Sequence, residues 1–238
     1  EGEVQHEVTL SRGFWLADTV CTQAFWQAVT GSNPSGFKDD PRNPVEQVSW
    51  YDVQAFIAEL ERRLPGLPAR LPTDAEWEYA CRAGTTTPFS FGEKITADWV
   101  NYDGSHPYVG GDKGLYRGKT VPVASLPPNA WGLYEMHGNV YEWCANYYAE
   151  YPTTPQIDPQ GPQTGIDRVL RGGSWDGDGG HVRSANRFRY GPGHRYDYLG
   201  FRLALDRDEQ GLSPSEPVTV PPAGTANGAA KAATAGID

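Results

Sequence analysis

GLYEMHGNVYEWCANYY, residues 132–148, carries the apolar content of a buried strand and breaks it with two glycines. Two further short runs follow it, RVLRGGSWD at 168–176 and LGFRLAL at 199–205, the second again apolar enough to lie inside a sheet. Working back toward the N-terminus, Thr85 to Asn129 alternates Gly, Pro, Asn and Asp with isolated aromatics, which predicts long ordered loops instead of regular elements. The helices lie before it. Thr22 is a candidate N-cap for a helix carrying Phe25, Trp26 and Val29, preceded by a strand at Phe14 to Ala17. Ser49 caps a second helix, with Val53, Phe56, Ile57 and Leu60 on one face and Glu59 to Arg63 on the other. Thr73 and Glu76 have capping-box spacing for a third, and Gly84 supplies its stop. The order and size of these pieces predict one irregular, loop-rich α+β domain over residues 1–205.

Composition agrees with that expectation. Twenty-eight Gly and 20 Pro cut the chain into turns, while 8 Trp and 13 Tyr supply burial that short elements lack. Residues 206–238 are rich in Ala, Pro, Gly and Ser and bring too little apolar surface to offset their ordering entropy, so they read as a linker or tail. A formal charge of −10 disfavours non-specific contact with nucleic acid, and no run approaches the roughly 18 apolar residues of a membrane span. Cys21, Cys81 and Cys144 are too few and too scattered for a disulfide framework and show no CxxC spacing; they read as buried thiols.

Five motifs in order, NPVEQVSWYDVQAF (43–56), RLPTDAEWEYACRAG (70–84), PPNAWGLYEMHGNVYEW (127–143), RVLRGGSW (168–175) and LGFRLA (199–204), closely resemble the formylglycine-generating enzyme, or sulfatase-modifying factor, family. The resemblance covers Phe14 to Leu205 and implies a variant of the C-type lectin-like fold. It also implies, for the catalytic members, a copper-binding cysteine pair shortly after the GGS segment. Here Gly172, Gly173, Ser174 and Trp175 are followed by no cysteine at all, so formylglycine generation and bound copper are not expected. A second group of relatives, iron-dependent sulfoxide synthases, adds a helical domain with a histidine cluster, which the stretch before Phe14 does not contain. His137, His181 and His194 remain the histidines able to converge on a metal, although each suits a surface or core role equally well and no HxxxH or HxE spacing joins them.

The resemblance implies a structural calcium in the loop containing GLYEMHGNVYEW. The matching positions are Glu135, Gly138, Val140 and Glu142, two carboxylates and two backbone carbonyls; the alternative is a pair of solvated or ion-paired carboxylates. A second site of the family, near Asn101 and Asp112, is put in doubt by Lys113.

The segment from Asp176 to Tyr198 contains no Lys, Glu, Gln, Met or Trp, the five types that codons ending in a pyrimidine cannot encode. That spectrum resembles the variable proteins of diversity-generating retroelements within this family. On that resemblance Arg171 to Trp175, Arg183, Ser184, Ala185, Arg187, Arg189, Pro192, Arg195 and 199–203 are a fixed frame, and Asp176, Asp178, His181, Phe188, Tyr190, Gly191, His194, Tyr196 and Tyr198 form a ligand-binding face. Independently of codons, Phe188, Tyr190, Tyr196 and Tyr198 alternate with Arg, Asp, Gly and His as binding surfaces do. The competing reading makes these aromatics strand core. Arg183, Arg187, Arg189 and Arg195 either brace the loops or bind an acidic ligand. The expected function is therefore non-catalytic recognition of a protein or other macromolecule. The alternatives are a metal-dependent oxidoreductase or protein-modifying enzyme of the same family, or a regulatory domain of a larger protein.

Overall fold

A computed structural model describes residues 3–207. The tail predicted from residue 206 onward lies outside the described residues except for its first two positions. The described part forms a single unit. Its elements in chain order are β1 (Val8–Thr9), β2 (Phe14–Leu16), α1 (Gln23–Thr30), α2 (Trp50–Arg63), β3 (Ala69–Arg70), α3 (Asp74–Arg82), β4 (Tyr141–Tyr147), β5 (Gln156–Ile157), β6 (Arg168–Arg171), β7 (Phe188–Tyr190), β8 (Leu199–Gly200) and β9 (Ala204–Asp206).

All three helices begin where the side chains can satisfy the free N–H groups of a first turn. The Thr22 hydroxyl accepts from Phe25 N at 3.1 Å. Ser49 with Asp52, and Thr73 with Glu76, form reciprocal capping boxes. The α3 helix stops through Ala83, left-handed at φ 45°, one residue before the predicted Gly84. The α2 stripe of Val53, Phe56, Ile57 and Leu60 is buried as its spacing requires. None of the described helices is long and apolar enough to cross a membrane.

The strands make three small sheets: β1 with β5, β9 between β2 and β3, and the order β7-β6-β4-β8. Pairing of β2 with β9 brings Phe14 opposite Asp206, so the two ends of the domain close on one another. The main core joins Trp26, Phe56, Trp143, Leu170, Leu199 and Phe201. A second cluster surrounds Trp77, and a third surrounds Phe89 and Tyr102.

Between α3 and β4 the chain runs from residue 83 to 140 without helix or strand, as predicted for most of that stretch. Asparagine amides take the place of a ladder there. Asn101 Nδ2 donates to the Lys119 carbonyl, Asn139 exchanges bonds with both backbone groups of Val121, and Asn129 Nδ2 reaches the Ala80 carbonyl at the end of α3. Gly138, at φ 79°, lies so close to Asn101 that a Cβ would collide with the Asn101 carbonyl oxygen. That close approach pulls the long loop onto the start of β4.

Candidate functional site

Residues 176–198 are held from beneath by arginine. Arg171, fully buried, places Nε 2.6 Å from Asp74 Oδ1 and donates through Nη1 to the carbonyls of Ser184 at 3.0 Å and Asn186 at 2.7 Å. Arg187 reaches the other oxygen of Asp74 at 2.9 Å and lies over the Tyr148 and Tyr151 rings. Burial alone would raise Asp74; the two guanidinium charges outweigh it and hold the carboxyl below its ordinary value. Arg183 pairs with Glu3, Arg189 with Asp167, and Arg195 with Asp52 through two 2.7 Å bonds. Of the two roles open to these arginines, the structure shows bracing by carboxylates outside the segment.

The predicted face divides in two. Phe188 and Tyr190 belong to β7, which pairs with Leu170 and Arg168 of β6, and strand alternation turns both rings toward the core while Arg189 faces outward. Phe188, Tyr190 and Tyr198 are partly buried against the main core. The expectation that the whole aromatic row stands open is corrected here: pairing with β6 fixes the direction of its first two rings. His194 and Tyr196 are exposed. The rings remain one stack. Tyr190 meets His194 at 5.2 Å and Tyr196 at 5.2 Å, Tyr196 lies parallel to Tyr198 at 5.0 Å, and the Tyr190 and Tyr198 hydroxyls are 3.0 Å apart. Gly191 forms the turn between them, its carbonyl accepting from His194 N at 3.1 Å.

Asp176, Asp178 and His181 lie at the other end of the segment and are exposed. Asp176 accepts from the Ser174 hydroxyl, while Asp178 accepts from Gly180 N at 2.7 Å and meets the His181 ring at 3.1 Å. Three neighbours escaped the sequence reading, and a fourth joins them to the segment. Trp175, assigned to the frame, stacks on Tyr116 at 6.2 Å, meets Phe37 edge-on at 5.5 Å and donates to the Asp197 carbonyl at 3.2 Å. Beneath Phe37, the buried Glu46 accepts from Phe37 N at 2.8 Å, and burial pushes its carboxyl up to about 7. Phe37, Glu46 and Tyr116 are more than fifty residues from Asp176, and no local pattern links them to it.

The loop matched to a family calcium site shows a mixed donor set. Glu135 is buried in a left-handed conformation at φ 48°; Oε2 accepts from Ala124 N at 3.2 Å, whereas Oε1 makes no hydrogen bond of good geometry. Burial raises this carboxyl to about 7. Glu142, without solvent exposure, is held by Arg202 at 2.7 and 2.8 Å and by the Trp77 indole N–H at 2.7 Å. The unfilled Glu135 Oε1 is one oxygen open to a cation, whereas both oxygens of Glu142 are already held by Arg202, one of them also by Trp77.

All three cysteines are buried and free, and burial pushes Cys81 up to about 12 and Cys21 and Cys144 well above their ordinary value. His137 is buried, with Nδ1 2.7 Å from the Val182 carbonyl and Nε2 2.9 Å from the Ser90 hydroxyl, apart from the exposed His181 and His194. Among the described residues no group of three or more His, Cys, Asp or Glu side chains is arranged to hold a metal. A cleft of about 890 Å³ lies elsewhere, between residues 3–10, Asp74, Tyr79 and Tyr151, and includes none of the nine predicted ligand-binding residues.

The family model for the sulfatase-modifying factor enzyme 1-like domain matches residues 2–207. The formylglycine-generating enzyme of Streptomyces coelicolor is 38% identical over 77% of this chain and 62% of its own length, so the chain spans about three fifths of that relative. Among solved structures, Treponema denticola variable protein 1 is similar at a TM-score of 0.73 and 31% identity, covering 82% of this chain and 84% of its own. PvdO from Pseudomonas aeruginosa follows at a TM-score of 0.70 and 29% identity, over 84% and 83% of the two chains. The fold shared with these neighbours is the formylglycine-generating-enzyme type of C-type lectin-like fold. With its five motifs, its fold and a match across all the described residues, the chain belongs to the sulfatase-modifying factor family.

Proposed function

We propose that the protein is a non-catalytic binding module whose 176–198 segment displays a macromolecular ligand face on a rigid frame. The observation that carries this reading is the division of labour within the segment. Its arginines turn away to pair with Asp74, Asp167, Asp52 and Glu3, while Tyr196 and His194 stay at the surface on an aromatic stack and Asp176 and Asp178 are exposed at the other end of the segment. Rigid rings with polar tips bind at small entropic cost, and a braced backbone tolerates side-chain exchange above it. Likeness to a protein called variable supports this reading, as does the lack of any thiol after Ser174. The same reading gives the 132–142 loop a structural calcium ion held by Glu135 and Glu142 side chains and the Gly138 and Val140 carbonyls.

Similarity to formylglycine-generating enzymes favours a second reading, a modifying enzyme acting through groups other than thiolate. Two experiments separate them. A reverse transcriptase beside the coding sequence, with a near-copy of codons 170–205 differing mainly at adenines, supports the binding module. Oxygen consumption with a cysteine-containing peptide and added copper or iron ends it.

A further inference from the structure

The cations of the 176–198 segment are all engaged elsewhere, and its carboxylates are not. Arg183, Arg187, Arg189 and Arg195 each meet a carboxylate from another part of the chain. Among the described residues, Asp176 and Asp197 form no ion pair, and Asp178 forms one only with the exposed His181. Trp175 donates through Nε1 to the Asp197 carbonyl at 3.2 Å and stacks on Tyr116 at 6.2 Å, which brings Asp197 and Asp176, the residue after Trp175, to the same ring pair; burial first, and then their charges and that of Asp103, raise the Tyr116 hydroxyl. Glu46, 0% exposed behind Phe37, adds a further carboxylate whose Oε2 makes no hydrogen bond of good geometry; it feels the Asp197 charge, and the exposed Lys38 is the cation nearby. The aromatic faces of Tyr116, Trp175 and Phe37 border the same place.

An anionic rim beside stacked rings matches one chemistry. A guanidinium or ammonium group is attracted by both carboxylate and ring quadrupole, and its aliphatic stem lies along apolar ring surface. A bare divalent ion instead needs several convergent oxygens, an arrangement not found among the described residues. An acidic or phosphorylated partner would meet unpaired carboxylates and be repelled.

Resting on the binding reading above, we propose that this face takes a protein segment bearing arginine or lysine, its cationic head seated between Asp176 and Asp197 against Tyr116 and Trp175. Asp178 widens the anionic rim, and Tyr196 with His194 contacts the segment beyond the cation. The overall charge of −10 speeds the approach of any basic partner, so place has to be separated from total charge.

The test uses the full chain and a fluorescent octapeptide of alternating arginine and glycine, with binding read as anisotropy at physiological salt. Two triple variants raise the net charge equally: D176N/D178N/D197N on the face, and E61Q/E93Q/E150Q at exposed carboxylates elsewhere. Asparagine keeps the shape and acceptor oxygen of aspartate, and a thermal melt checks that each variant folds. The expected result is about tenfold weaker binding for the face triple and less than about twofold for the control. Equal losses in the two triples, no loss in either, or equally tight face-dependent binding of free spermidine would each overturn the proposal. A third variant, H194A/Y196A, keeps this outcome apart from the binding reading itself. If it loses the peptide while the face triple does not, cation recognition falls and the binding face stands. If neither variant weakens binding, both fall.

Discussion

Glu142 and Arg202 form an ion pair with no solvent exposure on either side, Nε 2.7 Å from Oε2 and Nη2 2.8 Å from Oε1. Arg202 also donates to the carbonyls of Ala17, Asp18 and Tyr134, so one guanidinium joins the end of β2, the 132–142 loop and the last strand region. A buried pair of this kind adds little over an apolar replacement, yet breaking it from one side is costly. Arg202→Met leaves Glu142 charged and uncompensated and is expected to destabilise the fold by about 3–5 kcal/mol in urea unfolding. Adding Glu142→Gln to that variant should recover part of the loss; a double variant no better than the single one contradicts this account.

Glu135 supplies the calcium test. Its unfilled Oε1 lies in a buried loop beside Glu142, so calcium added to chelator-treated protein should raise the melting temperature in a concentration-dependent way. Glu135→Gln should blunt that rise. A wild-type melt unmoved between millimolar calcium and excess chelator removes the ion from the proposal.

Glu46 and Glu135 predict a pH dependence with a definite sign. Both carboxyls are raised by burial to about 7 in the folded protein, from an ordinary value of 4.5. The folded state therefore holds more protons than the unfolded one between these values, and their contribution to stability is complete below about 4.5 and lost as pH rises through about 7. His137 acts oppositely: lowered by burial from 6.5 to about 4, it favours folding at the upper end and is lost as pH falls through that range. The Glu46→Gln/Glu135→Gln variant should thus lose less stability than the parent between pH 5 and 7, measured by urea midpoints in excess chelator. Parallel pH curves for the two proteins would refute the assignment.

Tyr196 and Tyr198 stack at 5.0 Å but answer to different demands. Tyr198 packs on the main core and shares a hydrogen bond with Tyr190, so Tyr198→Ala should cost roughly 2 kcal/mol in stability. Tyr196, at the surface, should tolerate alanine with a melting point near that of the parent while ligand binding weakens at least about tenfold. Equal thermal losses from the two substitutions would place Tyr196 in the core and take the face apart.

Much of the architecture was legible along the chain because its signals are local. A hydroxyl before a helix meets its own third residue, as Thr22, Ser49 and Thr73 do, and the α2 apolar stripe requires only periodicity. Motif order carried the family, which the 2–207 match then established. The candidate face was legible only in part. Alternating Tyr and Arg from 188 to 198 suggest contact with a partner, but the direction of each ring depends on pairing between β7 and β6, a relationship that composition does not encode.

The sequence by itself determined the helices, the loop-rich character, the family and the lack of a cysteine after the GGS turn, since each follows from neighbouring residues or from residue identity alone. Only the tertiary structure decided which carboxylate meets which arginine, leaving Asp176 and Asp197 without an ion pair among the described residues, and which distant residues border them. Ion pairs in this fold span separations such as Asp52 to Arg195 and Glu142 to Arg202, and electrostatic pairing depends on distance in space, which chain order does not specify.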